Sequence, residues 1–388
     1  MTKNSLNNKI TKLANALDYK QVLPNIVQPA TAYFDMLGDD LRRRLFIVQD
    51  SMHNNGNQDF VLRPEFTICI AKDYLQNNTN NQPAKLCYSG PVFRSDPVTH
   101  VCNEFVQTGI EIFAAKDSFK ADIETIEYAL KALDILNIKQ VELKMGDYDL
   151  FFSLIQNLNI SDIWRKKLRR LFLSHNNLES LLKKLNRPQT VPVNHERAAF
   201  LNAIEGLEVS SAQMLVENVL SFSGIDLIGG RSAGEIAERF LEQAALSATP
   251  TLPDDILVIL KEYFSISGQA INSIEKLNAF NKKHSLKLED KIIELQNRFN
   301  AIEALNIGNF TKDNIQFNTL LGRGFEYYTG MVFEIVDAKK RVSSPLIAGG
   351  RYDALAKQLG ATQNVNAVGA SLWDARIAEI LQLDAEDK

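Results

Sequence analysis

The sequence predicts an α+β fold, an antiparallel sheet core whose chain is interrupted by a helical insertion. Two observations predict it. Strand-like runs cluster before about residue 150 and return near residue 312, whereas Leu-, Ala-, Lys- and Glu-rich periodic segments dominate the stretch between. The chain of 388 residues also exceeds one ordinary domain of about 100–150 residues. A discontinuous core of residues 1–150 and 312–388, with a helical insertion at 151–311, satisfies both.

Taken in order, residues 5 to 50 read as two helical pieces broken at Leu23-Pro24. Asn54-Asn55-Gly56-Asn57 is turn chemistry leading into a strand at Phe60-Val61-Leu62. Leu62-Arg63-Pro64-Glu65 is expected to open a helix running through Ile70 and Leu75. Pro64 would sit in its first turn, where a missing N–H does no harm. Asn77 to Gln82 is a polar loop. Cys87 to Phe93 and Glu104 to Phe113 read as a hairpin pair around a loop at Ser95 to Asn103. A helix over Ala121 to Leu136 and a strand over Gln140 to Met145 complete the first part. Pro188, Pro192, Pro250 and Pro253 punctuate the helical stretch. Strands are then expected at Ile315–Leu320, Gly330–Val336 and Ser343–Ala348, a helix around Tyr352–Leu359, and a strand–helix unit over Val365–Leu381.

Composition narrows the function. Hydrophobic residues make up 45% and charged residues 23%, enough apolar material for a sizeable core. No run of about 18 apolar residues predicts a membrane span, and the polar N-terminus carries no apolar export signal, so a cytoplasmic location is expected. Cys69, Cys87 and Cys102 have neither disulfide-framework nor CxxC spacing. A net charge of −4 weighs against polynucleotide binding, which draws most of its affinity from phosphate contacts on a basic face. Arg42-Arg43-Arg44 and Arg165-Lys166-Lys167 with Arg169-Arg170 read either as local basic patches or as solvated helix faces. Phosphate-loop, GxGxxG, HExxH and GxSxG motifs are all missing, and the five histidines are scattered, so no metal or cofactor is expected.

Two short stretches carry specific chemistry. On a strand over Glu104–Phe113, Gln107, Gly109 and Glu111 share one face, and Gly109 would let a ligand approach the backbone. A buried glutamine and glutamate need partners, whether a ligand or, for Glu111, an internal Arg or Lys. The second stretch is Gly322 to Glu334. A strand there would send Tyr327 and Tyr328 to opposite faces, so only one could line a given pocket unless a bulge intervenes. Gly349-Gly350-Arg351-Tyr352 reads as a tight turn before a helix, or as part of the same site.

These stretches resemble the motifs of histidyl-tRNA synthetases. Leu62-Arg63-Pro64-Glu65 with Thr67 is similar to their LRPExT segment, and Tyr88–Arg94 with Glu104–Glu111 to their second class motif. Arg323–Glu334 resembles the histidine-specific RGxDYYxxxVFE, Gly349–Leu355 resembles GGRYDxL, and Ala367–Ile377 resembles the third class motif, all in the same order. The resemblance implies a class II aminoacyl-tRNA synthetase-like sheet core. It implies that Glu65, Thr67 and Gln107 hold the histidine ammonium, that Arg323 holds its carboxylate, and that Glu111 with Tyr327 or Tyr328 recognises the imidazole. Arg94 would join this histidine-binding set; in the synthetases the matching arginine grips the ATP α-phosphate.

The chain departs from the synthetase pattern where nucleotide and tRNA are handled. Asp96 replaces a glutamate, the loop Pro97–Asn103 lacks further arginines, Ala375 replaces a glutamate, and Trp373 stands where the family keeps glycine. An indole there is expected to block the nucleotide. An anticodon-binding domain is not expected either. The departures resemble the regulatory-subunit family of ATP phosphoribosyltransferase, the first step of histidine biosynthesis. That resemblance implies a non-catalytic protein that activates a short catalytic subunit and senses L-histidine for feedback. It further implies a homodimer through the core, inside a hetero-octamer of four regulatory and four catalytic chains, without tRNA or membrane. The alternative is a histidyl-tRNA synthetase or a histidyl-adenylate-forming relative.

Overall fold

The computed structural model describes residues 3–48, 59–78, 80–95, 102–174, 207–222, 251–308, 310–322 and 325–386, with a few positions between 234 and 241. Its strands are β1 (Lys20–Gln21), β2 (Val27–Pro29), β3 (Ile47–Val48), β4 (Phe60–Leu62), β5 (Ala84–Ser95), β6 (Cys102–Phe113), β7 (Val141–Asp147), β8 (Ser267–Gln269), β9 (Ile315–Asn318), β10 (Met331–Asp337), β11 (Ile347–Arg351) and β12 (Ala367–Trp373). Its helices are α1 (Lys3–Ala16), α2 (Thr31–Met36), α3 (Asp39–Arg42), α4 (Thr67–Asn77), α5 (Ser118–Asp134), α6 (Tyr148–Asn157), α7 (Asp162–Ser174), α8 (Val209–Phe222), α9 (Asp254–Phe264), α10 (Ala270–His284), α11 (Glu289–Glu303), α12 (Leu355–Gln358) and α13 (Asp374–Glu386).

Nine strands form one sheet in the order β1-β5-β6-β12-β11-β10-β7-β9-β8, antiparallel except where β1 meets β5 and β7 meets β9. A small sheet, β2-β4-β3, stands apart from it. The long hairpin β5–β6 and the pairing of β6 with β12 set the middle of the large sheet. In that register Gln107 faces Gly90 and Trp373, Gly109 faces Tyr88 and Ser371, and Glu111 faces Leu86 and Gly369. Asp side chains start the helices that follow turns: Asp117 accepts from the Lys120 N–H at 3.0 Å before α5, and Asp147 from the Leu150 N–H at 3.1 Å before α6.

Several local expectations differ from the structure. Among the described residues 3–48 there are one long helix, two short ones and the short strands β1 to β3, because segments of two or three residues carry no readable periodicity. The helix after Arg63 begins at Thr67, so Pro64 lies before it and its preceding residues stay extended. Gly349-Gly350-Arg351 is no turn but the end of β11. Glycine is needed there because a Cβ on Gly349 would sit 2.8 Å from the Phe333 ring, and one on Gly350 2.9 Å from that of Tyr328. The Asn54–Asn57 turn and Pro188, Pro192 and Pro250 lie outside the described residues.

Most described parts of the stretch expected as an insertion pack with the sheet, whereas Ala212 and Val216 of α8 join Ile236, Ala237, Phe240 and Leu241 in a small cluster of their own. Residues of α6, α7, α9, α10 and α11 belong to the same buried core as the sheet, and β8 adds an edge strand to that sheet. An aromatic cluster makes the joint: Phe151 stacks on Phe172 at 4.1 Å between ring centroids, and Tyr148 links that pair to the core, 5.1 Å from Phe172 and 6.2 Å from Tyr328. Among the described residues no helix is long and apolar enough to cross a membrane. A shared core predicts one cooperative transition. The two tryptophans, Trp164 in α7 and Trp373 in β12, allow each part to be followed in single-Trp variants. Both probes are expected to report the same urea midpoint, and Phe151→Ala should lower it for both by about 3–5 kcal/mol of stability.

Candidate functional site

The alternation of β6 places Gln107 and Glu111 on one face of the sheet, and the elements around them close a pocket over that face. It is lined by Glu65, Thr67, Arg94, Gln107, Glu111, Phe325, Tyr327, Tyr328, Ala348, Tyr352, Gly369, Ala370, Ser371 and Trp373, with about 350 Å³ of empty space including its mouth. Seven of the eight candidate binding residues therefore meet at one cavity. The eighth, Arg323, lies outside the described residues.

Glu111 is 1% exposed and is built into the floor. Its carboxylate fills the space that the missing Cβ of Gly369 leaves on the neighbouring strand. One oxygen accepts from the Thr67 hydroxyl at 2.9 Å and the other from the Tyr352 hydroxyl. The internal Arg or Lys considered from sequence is not its partner; hydroxyls are. Burial, only partly offset by these hydroxyls, pushes its pKa up to about 8.

Glu65 precedes α4 and serves the helix end: its two oxygens accept from the Thr67 N–H at 2.6 Å and the Ile68 N–H at 2.8 Å. Burial raises its pKa, while those N–H groups and the Arg94 charge oppose the rise. Arg94 donates from Nε to the Pro64 carbonyl at 2.7 Å, and its guanidinium lies 5.4 Å from the Phe105 ring centre and 5.9 Å from that of Phe325. Gln107 is 2% exposed and its side-chain oxygen has no hydrogen-bond partner among the described residues. A buried orphan acceptor in a native pocket asks for a donor.

Three sequence expectations are corrected here. Tyr327 and Tyr328 do not sit on a strand; they follow a single bridge between Leu37 and Phe325 in a turn, so both line the pocket, with ring centroids 4.9 Å apart. Gly109 does not open the backbone to a ligand. The Tyr88 ring takes that space, its hydroxyl 2.5 Å from where a Cβ would stand and 2.6 Å from the Ser371 hydroxyl oxygen. Tyr352, not among the expected histidine-binding residues, lines the pocket directly after β11; its signal was a tyrosine in the Gly349–Leu355 stretch that resembles GGRYDxL. Phe325, Ala348 and the small residues Gly369, Ala370 and Ser371 were also missed as lining, since small side chains carry no chemistry to read.

At the pocket rim Trp373 packs under the Arg376 guanidinium, 4.7 Å from ring centre to carbon, and Arg376 donates to the Pro345 carbonyl at 2.6 Å. The arrangement can take a small molecule that offers cationic or donor groups to Glu65, Gln107 and Glu111 and an anionic group to Arg94. Among the described residues no group of three or more His, Cys, Asp or Glu side chains is placed to hold a metal ion.

Comparison with known proteins gives the chain's family. The histidyl-tRNA synthetase family model matches residues 2–221 and 237–376. The ATP phosphoribosyltransferase regulatory subunit of Brucella anthropi is 35% identical over 91% of this chain and 90% of its own length. That of Brucella canis is 33% identical over 94% and 93%. Among solved structures, an ATP phosphoribosyltransferase regulatory subunit/histidyl-tRNA synthetase from Bacillus halodurans superposes with a TM-score of 0.62 at 18% identity, covering 98% of this chain and 79% of its own. Histidyl-tRNA synthetase from Nostoc sp. PCC 7120 gives 0.60 at 14% identity over 99% and 72%. These two likenesses establish the class II synthetase-like fold.

The buried Glu111 makes a pH prediction. Its folded pKa stands above the unfolded value, so the native state holds its proton more tightly, and that stability is full below about pH 4 and lost as pH rises through about 8. Glu111→Gln removes the charge and keeps the shape. Its thermal melts should match the parent near pH 4.5 and exceed it progressively toward pH 8, by about 2–4 kcal/mol at the top of the range. A gap that stays constant with pH would contradict the assignment.

Proposed function

Since this chain belongs to the ATP phosphoribosyltransferase regulatory-subunit family, we propose that it senses L-histidine in the described pocket and sets the activity of a separate catalytic subunit. The observation that carries the reading is the buried pair Gln107 and Glu111: one has an unpartnered acceptor, the other only hydroxyl partners, and both face a cavity that also holds Glu65 and Arg94. The histidine ammonium would lie against Glu65, Thr67 and Gln107, and its carboxylate against Arg94 and Arg323. The imidazole would lie between Glu111 and the Tyr327–Tyr328 pair. A neutral imidazole offers one donor and one acceptor, which a carboxylate and a phenol satisfy together. Polar matching of this kind discriminates far better than an apolar pocket can.

No catalysis is assigned to the chain itself. Trp373 stacked with Arg376 at the rim supports a site that admits an amino acid and not a nucleotide. The partner is a short-form ATP phosphoribosyltransferase catalytic subunit in the cytoplasm, with regulatory homodimers joined to it in a hetero-octamer. Feedback then needs histidine to bind the inhibited conformation of the complex better than the active one, and whatever factor histidine applies to the affinity for the catalytic partner, that partner applies to the affinity for histidine.

Two measurements test the reading. Calorimetry should show histidine binding to the purified chain, and Glu111→Ala should weaken it about 10- to 100-fold, as expected for losing a hydrogen bond to a charged group, without preventing assembly on a sizing column. Unchanged affinity would remove Glu111 from the site. Mixing the chain with a short catalytic subunit should raise phosphoribosyl-ATP formation, while the chain alone should catalyse no histidine-dependent ATP–pyrophosphate exchange. Robust exchange would instead make it an adenylate-forming relative.

A further inference from the structure

Behind the tyrosine wall of the pocket lies a second buried polar cluster, none of whose charged groups lines the cavity. Its centre is Asp122 of α5, with 0% exposure. One Asp122 oxygen accepts from Arg351 Nη2 at 2.6 Å and Nε at 2.9 Å; the other accepts from Arg298 Nε at 3.0 Å. Arg298 belongs to α11, in the helical stretch, and also lies 3.7 Å from Asp147, the cap of α6. Arg351 ends β11 and donates further to the Ser118 carbonyl at 2.7 Å and to Asp353 at 2.8 Å.

The same residues fix the pocket wall. The Thr329 N–H donates to the Arg351 carbonyl at 2.9 Å, and the Asp353 N–H donates to the Thr329 hydroxyl at 3.0 Å. Between them the Tyr352 N–H donates to the Ala367 carbonyl at 2.8 Å, and Asp353 accepts from the Ala367 N–H at 2.8 Å. Tyr352 is thus held by its backbone on both sides, with its hydroxyl on Glu111. A guanidinium held through two nitrogens has little freedom to swing, so its chain neighbours inherit a fixed orientation.

We propose that Asp122 and Arg298 are positioning residues for the pocket, acting through Arg351 on Tyr352 and so on the hydroxyl that meets Glu111. As far as it concerns histidine, this rests on the functional reading above. The consequence is that α11, from a different part of the chain, contributes to pocket affinity without touching a ligand, and a displacement of α11 by a partner would be felt at Glu111. Coupling by such a chain is demonstrated only by a double-mutant cycle.

The experiment uses Arg298→Met, which keeps the apolar stem, Arg298→Lys, Tyr352→Phe and the double variant Arg298→Met/Tyr352→Phe. Histidine affinity by calorimetry should fall about five- to tenfold in Arg298→Met and recover in part in Arg298→Lys. The double variant should bind no more weakly than Tyr352→Phe alone, because the first loss acts through the second residue. Multiplied losses, or full affinity in a folded Arg298→Met, overturn the proposal. A readout without ligand stands beside it: the carboxyl carbon signal of Glu111 in selectively labelled protein. The groups facing Glu111 are Glu65, Tyr88, Tyr327, Tyr352 and the Thr67 hydroxyl, and the hydrogen bond from Tyr352 holds its pKa down against the effect of burial. Loosening Tyr352 should move the Glu111 midpoint upward in Arg298→Met and back in Arg298→Lys; an unmoved midpoint overturns the proposal even if histidine does not bind. Absence of histidine binding to the parent chain, with the midpoint shifted as stated, would overturn the ligand assignment and leave the positioning role supported. Should Arg298→Met fail to fold, the Arg298→Lys midpoint and affinity decide, since a lysine cannot reproduce the planar contact and must still shift both.

Discussion

A carboxylate buried in the middle of a sheet needs room and donors at once, and Glu111 obtains both from its neighbours. Gly369 on β12 supplies the room by having no side chain, and Thr67 and Tyr352 supply the donors from α4 and from the end of β11. Much of the surrounding architecture follows from this need. α4 has to begin beside β6, and Glu65 turns that helix start into a second buried carboxylate. β11 must lie next to β12 and lead directly into Tyr352, with glycines that let the Phe333 and Tyr328 rings close over it.

The electrostatic character of the pocket comes from burial more than from charge pairing. Glu65 and Glu111 are both held by neutral donors, and both have pKa values raised by desolvation. The Arg94 guanidinium, which lines the pocket, is anchored to the Pro64 carbonyl and flanked by phenyl rings. Two carboxyl groups that are poorly solvated and a glutamine oxygen without a donor form a site whose polar groups become satisfied together.

How much of this was legible in the sequence depended on the length of the signal. The hairpin β5–β6, the strands β7 and β10, helix α5 and the final strand–helix unit have clear periodicity or turn chemistry and lie close to where they were expected. The two- and three-residue strands were invisible, as was β8 inside a helical stretch. Gln107 and Glu111 stood out because they are polar in an apolar strand, whereas Glu65, Thr67 and Arg94 were legible only through the resemblance to synthetase motifs. Tyr352, Phe325 and the small lining residues give no such signal, and Tyr327–Tyr328 were misread because strand alternation was assumed for a turn. That α6, α7, α9, α10 and α11 share the core while α8 packs in a small cluster apart is a matter of tertiary packing, which an amphipathic pattern cannot address: it shows that a face is buried and not against what.

The contact between Glu111 and Gly369 also bears on how the sheet is assembled. A slip of β12 by one residue against β6 would bring Val368 or Ala370 opposite Glu111 and turn Ser371 and Trp373 to the other side of the sheet. Either side chain would evict the carboxylate from the one place where it fits. The glycine therefore acts as a lock on strand alignment, and a chain that has mispaired its central strands cannot bury its own floor. Registration errors would show themselves as an open sheet before any ligand is met.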